Sequence, residues 1–156
     1  MPTQFATFVL DELHFAVAVP HVQEVTGSQP MTRVPLAPPV VAGLINLRGH
    51  IVTALDLRTR IGLPPRLAGQ LPSHVIVRSN DGVLSLLVDE IGAVVEVADD
   101  QFERVPATVD ASTADLLRGV CHVEGRLLLV LDVERAVWVE GDRSTRDGTR
   151  RSAARE

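Results

Sequence analysis

The chain contains no lysine, so all 15 of its basic residues are arginines. A Schiff-base amine, the lysine of a phosphate-binding loop and a serine–lysine dyad each need a titratable primary amine, and all three chemistries are excluded. Tyrosine is absent too, and aromatics make up only 3% of residues against 46% apolar. The interior must be built from Val, Leu, Ile and Ala, a composition that favours strands. Cys121 is the single cysteine and has no partner for an internal disulfide. Flanked by Val120, His122 and Val123, it reads as a core strand residue rather than an activated thiol. There is no uncharged apolar run of about 18 residues, and no basic N-terminal stretch leads into an apolar run and cleavage site. A cytoplasmic protein without direct membrane insertion is expected.

The formal net charge is −5 over 156 residues. From Gly141 onward five arginines face Asp142, Asp147 and Glu156, so that end carries +2 and residues 1–140 carry −7. An acidic body with few stacking aromatics is a poor nucleic-acid surface, and no nucleic-acid partner is expected. The five histidines, His14, His21, His50, His74 and His122, lack the close spacing that puts two ligands on one metal, and His50, His74 and His122 are each expected to be a partly exposed polar residue. Asp56 and Asp132 each end an apolar strand ahead of a helical or turn segment, which suits capping. Nucleophile-elbow, dinucleotide-fingerprint and zinc-helix motifs are all missing, so no catalytic residue, cofactor or metal is expected.

Strand-like runs rich in Val and Leu occupy 4–10, 13–19, 49–55, 74–77, 84–88, 93–97 and 125–131. Asp11-Glu12, Asn80-Asp81-Gly82 and Glu124-Gly125 supply turn chemistry between them. Short helices are predicted over 38–44, 57–61 and 113–117, the last capped by Ser112 or Thr113. Residues 141–156, rich in Arg, Ser, Thr and Gly, cannot bury enough to order themselves and are expected to form a disordered tail.

The second half of the chain restates the first. Val17, Val19, Val22 and Val25 correspond to Leu86, Val88, Ile91 and Val94, and Arg33-Val34-Pro35 to Arg104-Val105-Pro106. Gly43, Gly49, Leu55 and Asp56 recur as Gly119, Gly125, Leu131 and Asp132 at a constant spacing of 76. Two β-units, near 13–70 and 74–138 within a domain of residues 1–140, are expected to pack on each other, since neither alone buries much apolar surface. Whether the first strand stays in its own unit or crosses into the second is open at this stage. Arg48 aligns with Glu124, a charge reversal that marks a place where the halves diverge.

One dense segment remains. Residues 43–58, Gly-Leu-Ile-Asn-Leu-Arg-Gly-His-Ile-Val-Thr-Ala-Leu-Asp-Leu-Arg, resemble the signature of CheW-like coupling proteins, in which Asn-Leu-Arg-Gly precedes a strand ending in Asp-Leu-Arg. Val19-Pro20, Val22-Gln23-Glu24-Val25, Thr32-Arg33-Val34-Pro35, Leu87-Val88-Asp89 and Leu116-Leu117-Arg118-Gly119 extend the resemblance over most of residues 5–137. Thr53 stands where the family often has proline, a change a strand tolerates. The resemblance implies an all-β fold of two five-stranded SH3-like β-barrels around a shared hydrophobic groove, with a few short helices and no catalytic activity. It also implies two partners, the cytoplasmic tip of a chemoreceptor and the regulatory domain of the CheA histidine kinase, in membrane-associated signalling arrays. A chemotaxis-like pathway controlling pili, gliding or development is the alternative setting.

Val22, Glu24, Gly43, Asn46 and Arg48 match family positions associated with receptor contact. Arg48, next to Gly49, has the planar donor set and the close-approach neighbour of an interface anchor. Purely structural roles are also open: an internal Arg48–Glu24 pair pinning a loop, an ordinary core position for Val22, and a turn for Gly43.

Overall fold

The computed structural model describes residues 2–138; the expected tail over 141–156 lies outside them. Eleven strands and three short helices follow in order: β1 (Thr3–Leu10), β2 (Leu13–Ala18), β3 (Val22–Thr26), β4 (Val41–Leu47), β5 (His50–Asp56), α1 (Leu57–Arg60), β6 (Ser73–Ser79), β7 (Gly82–Val88), β8 (Glu90–Val97), β9 (Phe102–Glu103), α2 (Ala111–Ala114), β10 (Leu117–Val123), β11 (Arg126–Leu131) and α3 (Val133–Val137). They form a six-stranded sheet, β8-β1-β2-β11-β10-β9, and a five-stranded sheet, β3-β6-β7-β5-β4. The all-β architecture of two units therefore stands, with the two-residue β9 as an extra strand.

Sheet membership crosses the 13–70 and 74–138 division. The β1–β2 hairpin pairs with strands of the second half, through β1–β8 and a parallel β2–β11 ladder. The β6–β7 hairpin pairs with strands of the first half, through β3–β6 and a parallel β5–β7 ladder. Each half thus lends its leading hairpin to the other's sheet, so what crosses is a hairpin in both directions rather than one strand.

The repeat is visible in detail. Strands β4 and β10 lie 76 residues apart, and both ladders slip register two residues in, at Val41/Gly43 and at Leu117/Gly119. A Cβ on Gly43 would stand 2.7 Å from the Thr32 carbonyl oxygen, and one on Gly119 would stand 2.8 Å from that of Glu103. Glycine is required at both because a neighbouring backbone passes there: the Thr32–Leu44 bridge in one unit, β9 against β10 in the other. The Asp56 carboxylate accepts from the Arg58 N–H (3.0 Å) and that of Asp132 from the Arg135 N–H (3.2 Å), the expected capping of α1 and α3.

The helix expected over 38–44 is a turn, closed by Val41 N–H to the Pro38 carbonyl (2.9 Å), running into β4. Val40, Val41 and Ile45 are β-branched, and Gly43 serves close strand approach, so pairing outweighs the helical spacing of the apolar residues. The segment at 113–117 divides between α2 and the first residue of β10, and Asp110 rather than Ser112 precedes the helix. Strands β3, β4 and β9 were not expected.

Strands β2, β6, β7 and β11 each hold four consecutive buried residues. One face of each fills its own unit, and the other fills a core common to both. That shared core includes Phe8, Phe15, Val77, Leu86, Leu129 and Leu131, while Phe5, Cys121 and Val130 pack within the six-stranded unit and Ile45, Val52 and Ile76 within the other. Phe8 and Phe15 stack with centroids 5.4 Å apart. Cys121 is fully buried, as expected, and burial pushes its thiol up.

His74 departs from expectation: it is fully buried, with Nδ1 2.7 Å from the Ser85 hydroxyl. Burial, and then the Arg66 guanidinium, hold its pKa below the ordinary 6.5. The native state keeps the ring neutral, so its contribution to stability is complete above the unfolded value and is lost as pH falls below it.

Two outcomes are expected. A protease cut within 62–72 leaves residues 2–138 as two fragments that co-migrate by native gel filtration and separate only in denaturant, because both sheets are built from both halves. Thermal denaturation gives a midpoint that falls as pH drops below about 6.5, and His74→Gln flattens that slope.

Candidate partner-binding site

Arg48 and Gly49 form the two-residue turn between β4 and β5, with Leu47 paired to His50. Their φ values, +53° and +87°, are both left-handed, as a type I′ hairpin turn demands. The Asn46 side-chain oxygen accepts from the Gly49 N–H at 2.9 Å and stiffens the turn. The Arg48 guanidinium is thereby carried out from the fold; its side chain is 78% exposed, and Nη2 lies 3.0 Å from Glu24 Oε2 on β3.

Strands β3 and β4 are the two ends of the five-stranded order, so this ion pair draws the ends of a curled sheet towards each other. Exposed pairs contribute only about 0–1 kcal/mol. Arg48 can therefore exchange Glu24 for a partner's carboxylate at little cost to the fold.

The five residues singled out from sequence are only partly assembled. Arg48, Glu24 and Asn46 come together at the turn. Val22 packs against the shared core, and its carbonyl accepts from Arg78 Nη1 (3.3 Å). Gly43 lies further back along β4 against Thr32. Beside the turn is an apolar component that sequence reasoning missed: Ile51 is 67% exposed on β5, next to Val83 on β7, and both line a shallow hollow with Glu24, Arg48 and His50. Ile51 follows the Arg-Gly-His segment directly, but only the pairing of β5 with β7 brings Val83 to it.

A second group was also missed. Asp89, between β7 and β8, accepts from Arg58 Nη1 (2.6 Å) and from the Asp11 N–H (2.7 Å) and lies 3.0 Å from Arg66 Nε. Arg66 Nη1 also reaches both Asp56 oxygens at 3.2 Å. Both arginine side chains are about nine-tenths buried. One carboxylate from the second half of the chain thus ties together three segments of the first, α1, the β1–β2 turn and the 62–72 segment. Its role is to hold the two units in one orientation.

No arrangement suited to catalysis is formed at the turn: it holds no nucleophile with a base. The Ser85–His74 hydrogen bond is sealed between β6 and β7, out of reach of any substrate. Among the described residues no group of three His, Cys, Asp or Glu is placed to hold a metal, and no helix is long and apolar enough to cross a membrane.

A two-unit β scaffold presenting an arginine hairpin beside an apolar hollow is the architecture of an adaptor or scaffold class of protein. Comparison with known proteins agrees. Residues 4–138 match the CheW-like domain, and the chain belongs to the CheW-like domain family. It is 29% identical over 137 residues to the chemotaxis protein CheW of Bacillus subtilis, covering 88% of each chain. It is 29% identical to that of Rhizobium meliloti, covering 84% of each. The crystal structure of the scaffolding protein TtCheW from Thermoanaerobacter tengcongensis superposes with a TM-score of 0.80 at 25% identity, over 90% of this chain and 96% of that one.

A further expectation separates backbone fit from partner contact at Gly43. Gly43→Ala forces a clash with the Thr32 carbonyl and destabilises the fold by about 1–3 kcal/mol in urea denaturation, whereas Asn46→Ala shifts it by less than about 1 kcal/mol.

Proposed function

We propose that this protein is a non-enzymatic adaptor that couples methyl-accepting chemoreceptors to the CheA histidine kinase in a chemotaxis signalling array, recruited to the membrane-associated array from the cytoplasm. Arg48, Glu24, Asn46, Val22 and Gly43 form the receptor-binding set, the first three by contact and the last two by shaping β3 and β4 beneath them. The regulatory domain of CheA is the second partner.

The observation that carries this reading is the presentation of Arg48. A left-handed turn locked by Asn46 projects a guanidinium whose internal partner is weak, next to the exposed Ile51. A planar five-donor group beside an apolar residue suits the carboxylates and aliphatic side chains on the surface of a helical receptor tip. Each such contact is small, so binary affinity is modest and the array supplies avidity.

Co-sedimentation with an oligomeric receptor signalling fragment and CheA tests this. Arg48→Ala is expected to lower incorporation by about 30-fold, as loss of an interface arginine worth about 2 kcal/mol would, while leaving the unfolding midpoint nearly unchanged. Equal incorporation of wild type and variant would move the receptor surface elsewhere, and incorporation of neither with cognate partners would sink the coupling function.

A further inference from the structure

Residues 62–72 join α1 to β6 and form one wall of a cleft that neither the shared core nor the Arg48 surface accounts for. Its volume is about 600 Å³, and none of its lining residues belongs to the hollow beside Arg48. Val9, Pro64, Pro65, Leu67 and Leu71 make up its apolar part. Leu67 and Leu71 are each 73% exposed, and large apolar side chains that stand together on a surface mark a place of contact.

The polar lining is lopsided. Arg58 and Arg66 share the cleft with Asp11, Asp89 and Glu90, and Asp56 pairs with Arg66 behind them. Asp56 and Asp89 neutralise the two arginines. The exposed Asp11 and Glu90 carboxylates make no ion pair among the described residues, which leaves the rim with two uncompensated negative charges. Arg66 is about nine-tenths buried, yet its Nη2 finds no acceptor, whereas buried donors are normally paired.

The described chain leaves the fold beside this cleft. Arg60 on α1 lies over the Trp138 ring, 5.8 Å from its centroid, and its Nη2 donates to the Arg135 carbonyl at 2.8 Å. Arg58, two residues earlier on the same helix, lines the cleft. Residues 139–156 follow, outside the described residues, with arginine at 143, 146, 150, 151 and 155. Extended chain covers about 3.3 Å per residue, so Arg143 can stand up to about 17 Å from Trp138 and Arg151 up to about 43 Å. Their chemistry suits the cleft. A guanidinium pairs with a carboxylate while its aliphatic stem lies along leucine, and an extended backbone offers the carbonyl that Arg66 lacks.

We propose that the 143–151 segment folds back onto the 62–72 cleft, with its arginines held by Asp11 and Glu90 and their stems laid along Leu67 and Leu71. The contact is weak in itself and is sustained by the tether, which sets an effective concentration of about a millimolar. It uses no residue of the Arg48 surface and is independent of the adaptor reading.

The test uses the full chain carrying Thr149→Cys with a nitroxide spin label; Cys121 is buried and stays unmodified. The label broadens the amide NMR signals of whatever it approaches. With the segment on the cleft most of the time, the signals of Asp11, Leu67, Leu71 and Glu90 are expected to lose at least about half of their intensity relative to the reduced label. Raising salt from about 0.1 to about 1 M shortens the electrostatic range from about 10 to about 3 Å and should restore them. Asp11→Asn combined with Glu90→Arg should do the same at low salt with the unfolding midpoint nearly level, since asparagine tolerates the left-handed backbone at residue 11, φ +57°. Spin-labelled chain mixed with isotope-labelled chain that lacks the label should give no broadening. Signals that keep their intensity at about 0.1 M salt, broadening spread evenly over the surface, or broadening that survives either the salt or the charge changes overturns the proposal. Broadening in the mixed sample also overturns it, since the cleft would then hold the segment of a second copy.

Discussion

Neither β-unit can complete its sheet from its own stretch of chain, and most other features follow from that. The first half lends β1 and β2 to the six-stranded sheet, and the second lends β6 and β7 to the five-stranded one. Each exchange is made by one antiparallel and one parallel ladder, and the strands of the parallel ladders, β2–β11 and β5–β7, are buried on both faces. Parallel pairing needs a long crossover and two covered faces, and reciprocal exchange supplies both. A unit removed from its neighbour would lose the middle of its sheet as well as the shared core of Phe8, Phe15, Leu86 and Leu129. The two units therefore stand or fall together.

That constraint explains where the buried charge sits. Asp89 lies where the chain leaves one sheet for the other, and its ties to Arg58, Arg66 and the Asp11 N–H join the second half of the chain to the first. Buried ion pairs add little net stability but strongly penalise any rearrangement that separates them. They specify how the units sit. A contact surface gains from this, because a preorganised scaffold loses less freedom when a partner docks.

With both sheets completed by exchange in the two directions, the halves also differ at the surface, and they do so in a consistent direction. At the type I′ turns, Arg48 in one unit stands against Glu124 in the other. Leu36 likewise faces Ala107, and Glu24 on β3 has Ala93 as its counterpart on β8. Glycines 43 and 119, the caps Asp56 and Asp132, and the register slips beside the glycines stay paired. Backbone requirements are shared by both copies, and chemistry suited to recognition is concentrated in the first.

Much of this was legible in the residues themselves. The 76-residue spacing predicted paired units, Asp56 and Asp132 were readable as caps, Cys121 as core, and Glu124-Gly125 as a turn, because each depends on local chemistry that a short window contains. The expected helix over 38–44 failed because its apolar spacing fits a helix and a strand equally, and the decision came from Thr32, eleven residues before Gly43. His74 read as partly exposed because nothing adjacent signals burial; β3 and β7 on either side of it decide that. The residues leave the Arg48–Glu24 pair open as one reading, but they place Gly49 in a strand rather than a turn, and only the pairing of β5 with β7 sets Ile51 and Val83 beside it. The sequence alone determined the all-β class, the duplication and the Asp56 and Asp132 caps. Only the tertiary structure decided which half completes which sheet, since a hairpin's alternating pattern specifies the face it buries but not the strand across from it.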